Sequence, residues 1–431
     1  MLASGGQPKF SQKPARTIDS GRLLVVERKN SKYLSSKKQE QQIYLDYQAT
    51  TPVDPRVFEA MVPFLLGEFG NPHSALHGFG RRAEAAVRRA RQDIAMIVGA
   101  LPEDVIITSG ATEANNLALR GLAEGWRGSP FRLVSIGIEH PSVLEPAARL
   151  ASAGFDVVIL PVEAEGLVDL KRLDRELSRG LALVSVAAAN NEIGVLQPIA
   201  EIAELCHRHG CLFHTDASQT VGKVPLDMYG MGIDLLTLSG HKAYGPKGIG
   251  ALVATAESRR LLAPQMLGGG QQDGLRAGTV PVALCVGLGM ACRVASTEMQ
   301  SEGLRLTDYR ARLLGALETA VGGVMFNGSA LCRLPGNLSV CIAGVDAHQL
   351  IAMVPELAIS TGSACASSGG HPSYVLKAIG LTDEEIRSSV RIGLGRFTTQ
   401  DEVDKAADRL ATAIGRLRCR ESVADCQTIG P

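Results

Sequence analysis

Apolar residues in this chain fall into two patterns that take turns. Short, nearly continuous apolar runs occupy residues 105–109, 132–138, 156–162, 181–189, 211–216, 234–239 and 248–254. Continuous rather than alternating runs of this length predict strands covered on both faces. Stretches of helical spacing separate most of them, for example 79–98, 113–124, 142–153 and 198–209. Strand alternating with helix predicts an α/β domain built on a mainly parallel, seven-stranded sheet. After about Thr297 the pattern changes to a long helix, a strand at 337–342, a loop and a last helix through Arg420, which predicts a smaller α+β domain. The expected division is therefore an extension over 1–42, a large domain over 43–296, a small domain over 297–420 and a tail over 421–431. No internal repeat is visible.

Composition narrows the class. At 431 residues and 45% hydrophobic, the chain has material for a large core. Lys plus Arg equals Asp plus Glu, 44 each, so the overall balance points to no nucleic-acid partner. No run of about 18 or more apolar residues stands out, so no membrane span is expected. The nine cysteines form no C-x-x-C pair, which argues against a zinc site or a disulfide framework and for a reducing, cytoplasmic setting. The first forty residues differ: Lys9, Lys13, Arg16, Arg22, Arg28, Lys29, Lys32, Lys37 and Lys38 face only Asp19, Glu27 and Glu40. A solvated extension is expected there, with an organelle transit peptide as the alternative.

Four segments at expected strand ends carry chemistry, where open parallel sheets bind ligands. "TSGATE" at 108–113 leads from a strand into a helix start, a place for phosphate or simply a capped turn at Thr112. Asp216 ends another strand, as a partner for a protonated pyridine nitrogen or as a helix cap. Lys242, boxed by glycine and proline in "SGHKAYGPKG", has the setting of a partly buried Schiff-base lysine, whereas Lys247 suits a surface loop. "STGSACASSGG" at 360–370 is a run of small residues that holds one cysteine, Cys365, with little apolar surface to pack. A lone cysteine is more often a small buried hydrophobe, a reading that suits Cys285 and Cys292 better than Cys365.

Together with "YLDYQATTPVDPRV", "FGNPHS", "NNEIG", "FHTDASQTVGK", "LRAGTVP" and "SSVRIGLGRFT", these segments follow the order and spacing of cysteine desulfurases of the NifS/IscS type, and the likeness runs from about residue 43 to 412. The resemblance implies the type I fold of pyridoxal-phosphate enzymes and a homodimer. Residue by residue, it implies Lys242 as the cofactor lysine, Asp216 at the pyridine nitrogen and His140 stacked on the ring. It implies Gln219 at the phenolic oxygen, and Ala111, Thr112, Ser239 and His241 around the phosphate, joined by Thr279 from the other subunit. Asn191 and Arg391 resemble the groups that hold the carboxylate of the L-cysteine substrate, and Cys365 resembles the sulfur acceptor that passes a persulfide to a further acceptor protein. A selenocysteine lyase of the same fold, a desulfurase dedicated to tRNA or DNA sulfur modification, and a silent binding module that kept the fold are the competing expectations.

Three places depart from the family pattern. Ala366 stands where relatives often have Thr. Gln272-Asp273 stand where relatives tend to carry a Glu–Arg pair, with Ala277 for Ser nearby. The chain ends in "CRESVADCQTIGP", shorter than the scaffold-docking tail of housekeeping members, so a different sulfur acceptor is expected to be open.

Overall fold

A computed structural model describes residues 42–126, 130–362 and 372–428. The basic extension and Cys365 lie outside these residues. In chain order the strands are β1 (Ile43–Tyr44), β2 (Val105–Thr108), β3 (Arg132–Ile136), β4 (Asp156–Leu160), β5 (Leu183–Ser185), β6 (Leu212–Asp216), β7 (Leu235–Ser239), β8 (Gly250–Ala254), β9 (Val324–Phe326), β10 (Asn337–Ile342), β11 (Leu357–Ala358) and β12 (Ser389–Gly393). β2 to β8 form one seven-stranded sheet in the order β2-β8-β7-β6-β5-β3-β4. Each falls inside the range expected from its apolar run.

The sheet is parallel except at β8, which runs antiparallel to both β7 and β2. No crossover helix separates β7 from β8. Residues 240–249 join them directly, and this short connection holds Lys242. β2, β3, β5, β7 and β8 are buried along their whole length, as continuous apolar runs require. β4 is apolar too, yet half-open, because it forms an edge of the sheet.

The other edge, β2, is closed by a side chain. Gln272 accepts from the Ile107 amide at 2.7 Å and donates to the Ile107 carbonyl at 2.8 Å. It thus replaces a missing strand partner, and it does so from a positive φ of 53°. A carboxylate in its place would have no hydrogen to give the carbonyl. The neighbouring Asp273 pairs with Arg259 at 2.6 Å. Gln272→Glu is expected to cost about 1–3 kcal/mol in urea unfolding, with a buried acceptor left unpaired. A variant as stable as the wild type would remove this role.

Beyond the large sheet, β12-β10-β9 form a small antiparallel sheet, and β1 pairs in parallel with β11. The long helix begins at Val282, earlier than the change of pattern near Thr297 suggested, and runs unbroken to Val321. Its first half puts Cys285, Leu288, Cys292 and Ala295 into the core of the large sheet. Its second half puts Leu306, Leu313 and Leu317 into a separate core with the small sheet. The first half is apolar on all sides, so it has no amphipathic rhythm to read.

That helix bears on the expectation that no segment spans a membrane. By length and composition it could cross a bilayer, but half of its apolar window is buried within the protein. Glycine lets its neighbours approach closely. A Cβ on Gly287 would lie 2.6 Å from Met61 Sδ on Pro55–Leu66, and one on Gly289 would lie 2.7 Å from the Ala90 Cα on Gly78–Ile97.

Candidate active site

The carboxyl ends of the parallel strands open into a cavity of about 490 Å³. Ala111, Thr112, His140, Asn191, Asp216, Gln219, Ser239, His241, Lys242 and Arg391 all line it. Ten residues chosen from separate motifs therefore meet in one place. Thr279 does not line the cavity and is exposed. Cys365 lies outside the described residues.

At one end the helix Ala111–Gly125 starts without a side-chain cap. Gly110 precedes it at φ 152° and ψ 179°, a conformation only glycine adopts readily. The first amides of that helix are thus available to an anion. The first-turn acid Glu113 is committed elsewhere: it accepts from the Ser109 amide at 2.8 Å and pairs with Arg276 at 2.8 Å. The "LRAGTVP" segment is thereby tied to the helix start. His241 stands nearby with its imidazole pushed down to about 4, by burial and then by Lys242, Lys247 and Lys223. It is neutral at pH 7, and its Nδ1 contacts Thr50 Oγ1 at 3.0 Å.

At the centre, Asp216 ends β6. Its carboxylate accepts from Asn115 Nδ2 at 2.7 Å and from the Ser218 amide at 2.9 Å. The second hydrogen of the same Asn115 amide goes to Ser142 Oγ at 2.8 Å. Ser142 in turn reaches His140 Nδ1 through its hydroxyl at 2.8 Å and its amide at 3.1 Å. An amide can only donate, so Nδ1 accepts and the proton of the neutral ring sits on Nε2. Burial lowers the His140 pKa, only partly offset by Asp216, which favours this neutral form.

Glu139 beside it is fully buried. Its Oε1 accepts from the Ala187 amide at 2.7 Å, while Oε2 has no partner. Burial pushes this carboxyl up to about 8, with Asp216 adding to the rise. The folded state then keeps a proton that the unfolded chain releases near 4.5. Stability from this group falls as pH rises through that window. Glu139→Gln removes the titration, so its melting temperature relative to wild type is expected to climb between about pH 5 and about pH 8, by an amount worth roughly a few kcal/mol at most. A difference that stays flat with pH contradicts the assignment.

Lys242 Nζ donates to the Ala49 carbonyl at 2.9 Å and to the Gln48 carbonyl. Gln219 Nε2 donates to that same Gln48 carbonyl at 3.0 Å. On the opposite wall, Arg391 reaches in from β12 with 1% of its surface exposed. Its Nη2 pairs with Asp46 at 2.6 Å, and its Nη1 donates to the Asn191 carbonyl at 3.0 Å and the Gly362 carbonyl at 2.7 Å. In "NNEIG" the two asparagines divide their work. Asn190 caps the turn, accepting from the Glu192 and Ile193 amides at 2.8 and 3.0 Å, and both asparagines line the cavity.

The chain matches the class-V aminotransferase family over residues 43–406. It is 45% identical to a human protein named cysteine desulfurase, over 87% of this chain and 82% of that one. A solved NifS-like protein superposes with a TM-score of 0.81 at 31% identity, covering 87% of this chain and all of that one. A structure described as SspA in complex with cysteine superposes at 0.72 with 37% identity, covering 83% of this chain and 99% of that one. The chain is a class-V aminotransferase of the cysteine desulfurase family.

Class-V aminotransferases use pyridoxal phosphate in general, and the cavity of this one fits that group. Ser218 Oγ lines the cavity and is buried without a partner. The helix start at Ala111 is uncapped and Asp216 is held rigidly by two donors. Asp46, Gln48, Asn115, Glu139 and Ser142 join the site through the fold, and the motifs alone assign them no role. Asp46 and Gln48 sit in the quoted "YLDYQAT" motif, whose fixed spacing was the available signal.

Proposed function

We propose that this protein is a pyridoxal-phosphate-dependent cysteine desulfurase that converts L-cysteine to L-alanine and an enzyme persulfide on Cys365. The observation that carries the reading is the convergence of Lys242, Asp216, His140 and the uncapped helix start on one cavity, with Arg391 across from them. Lys242 would hold the cofactor, with its phosphate at Ala111, Thr112, Ser239 and His241, and its phenolic oxygen at Gln219. Once bound, the group supplies an electron-withdrawing ring that makes the substrate Cα proton removable.

The protein's own groups do the rest. Asp216, held by Asn115 and the Ser218 amide, keeps a negative charge facing the ring nitrogen. Arg391 and Asn191 bind the substrate carboxylate, for which the guanidinium has planar, paired donors. Lys242 Nζ takes the Cα proton and returns it at the end of the cycle. His140, neutral with its proton on Nε2, is a second carrier within the cavity. The Cys365 thiolate attacks the substrate sulfur, the carbon–sulfur bond breaks with its electron pair going to Cβ, Cβ takes up a proton, and alanine leaves with the outer sulfur kept on Cys365.

Two features support a homodimer. Thr279, expected at the phosphate, stands outside the cavity of its own chain. Phe58, Leu65, Leu66, Phe69, Leu76 and Phe79 crowd 22 residues of sequence and stay 44–97% exposed, an apolar face suited to a second copy. The persulfide then passes to an acceptor protein, of the kind that serves iron–sulfur cluster assembly. The test is turnover of L-cysteine by purified protein loaded with pyridoxal phosphate, read as alanine and persulfide. Absence of alanine from a protein carrying the chromophore overturns the reading. Removing residues 1–40, which carry none of the motifs, is expected to leave turnover within about twofold, and a dimeric truncated protein without activity would contradict this.

A further inference from the structure

Behind Gln48 lies a second, small void of about 20 Å³, and Gln48 is the residue that borders both it and the main cavity. Lys223 borders it. This lysine follows Gln219 by four residues in a helical turn, so the two side chains meet, and Lys223 Nζ donates to Gln219 Oε1 at 3.3 Å. An ammonium is donor-only, so it requires the carbonyl end of the Gln219 amide. The amine end is left to the Gln48 carbonyl, which also accepts from Lys242 Nζ. Lys223, Gln219, Gln48 and Lys242 are therefore linked in sequence.

No carboxylate pairs with Lys223 among the described residues. Glu302, on the long helix, faces the same void but is committed to Arg396 at 2.9 Å and to the Tyr244 hydroxyl at 3.4 Å. Arg396 also pairs with Asp54, and Tyr244 completes the ring of titratable neighbours. Lys223 is half-buried; desolvation pushes its amine down to about 7, Lys242 pushes it further, and Glu302 opposes the shift. Repulsion between the two lysines is mutual. A surface lysine kept for solubility would have neither this shelter nor this alignment.

We propose that Lys223 is a positioning residue of the reaction, which orients the Gln219 amide and opposes protonation of the nitrogen at Lys242. The inference rests on the proposed function, because it concerns the group that Lys242 and Gln219 would hold. It reaches substrate only through these two residues, since Lys223 does not line the main cavity.

The test uses the full-length holoenzyme and follows visible absorbance against pH. Lys223→Met removes the charge at similar length, and the pH midpoint of the chromophore is expected to move up by about half a unit or more. Lys223→Arg carries a permanent charge where the lysine is pushed down to about 7, and is expected to hold the midpoint at or below that of the wild type. In Lys223→Met, kcat is expected to fall about fivefold or more with KM for cysteine little changed, the pattern of a group that acts away from the bound carboxylate. Should the Met variant fail to fold, Lys223→Gln, which keeps an amide donor without charge, answers the same question. An unmoved midpoint in a folded, chromophore-bearing Met or Gln variant overturns the inference and leaves the proposed function standing. Wild-type protein that takes up no visible chromophore overturns both.

Discussion

Lys242→Ala yields a colourless protein whose cysteine turnover is lower by roughly a thousandfold or more. Two losses combine in this one change. Among the described residues, the lysines that line the cavity are Lys242 and Lys247, which sits five residues on in the same connection between β7 and β8. Lys242 alone reaches the Gln48 and Ala49 carbonyls beside Gln219. Without it, the cofactor loses the covalent tether and the Cα proton loses the amine proposed to take it, with His140 left as the remaining carrier. The cavity itself should survive, because Asp216, Asn115, Ser142 and His140 bond to one another without Lys242. The expected result is a folded protein, by melting temperature and circular dichroism, that has lost its visible band. A yellow, active Lys242→Ala protein would refute the whole assignment.

Cys365→Ser separates the second half of the reaction from the first. The variant is expected to keep the visible band of the wild type while alanine formation falls roughly a hundredfold or more, since a hydroxyl is a far weaker nucleophile toward sulfur than a thiolate. The other cysteines offer little substitute. Cys206, Cys285 and Cys292 are buried, and burial pushes their thiols up, to about 12 for Cys285 and Cys292. Cys332 and Cys419 are exposed, but neither lines the cavity. The chain on either side of the segment that carries Cys365 meets the cavity wall. The Gly362 carbonyl accepts from Arg391, and Ser373 Oγ donates to Glu192 at 2.6 Å. Alanine released at the wild-type rate by Cys365→Ser would transfer the acceptor role elsewhere.

The strands were legible because most are covered on both faces, and such burial demands unbroken apolar runs. Where one feature served two surroundings, the reading slipped. The helix Val282–Val321 passes from one core to another, so its apolar pattern changes midway and its true start was hidden. Glu139 shows a different limit. Its neighbour His140 was named from a motif, yet nothing in the order of residues tells that a glutamate will be fully buried with one oxygen unpaired. Gln272 looked like a defect in a family pattern, and only the edge of β2 gives it a purpose.

The order of residues by itself determined the type of fold, the family, and the residues able to do the chemistry, because periodicity and short motifs are local properties of a chain. Tertiary structure alone decided which nitrogen of His140 carries its proton, how Asn190 is tied into its turn, and why Lys223 stands behind Gln219. Each of these rests on a hydrogen bond between residues two to four apart in sequence, yet which of the possible local bonds forms is settled only when the sheet and its helices close around them and exclude water.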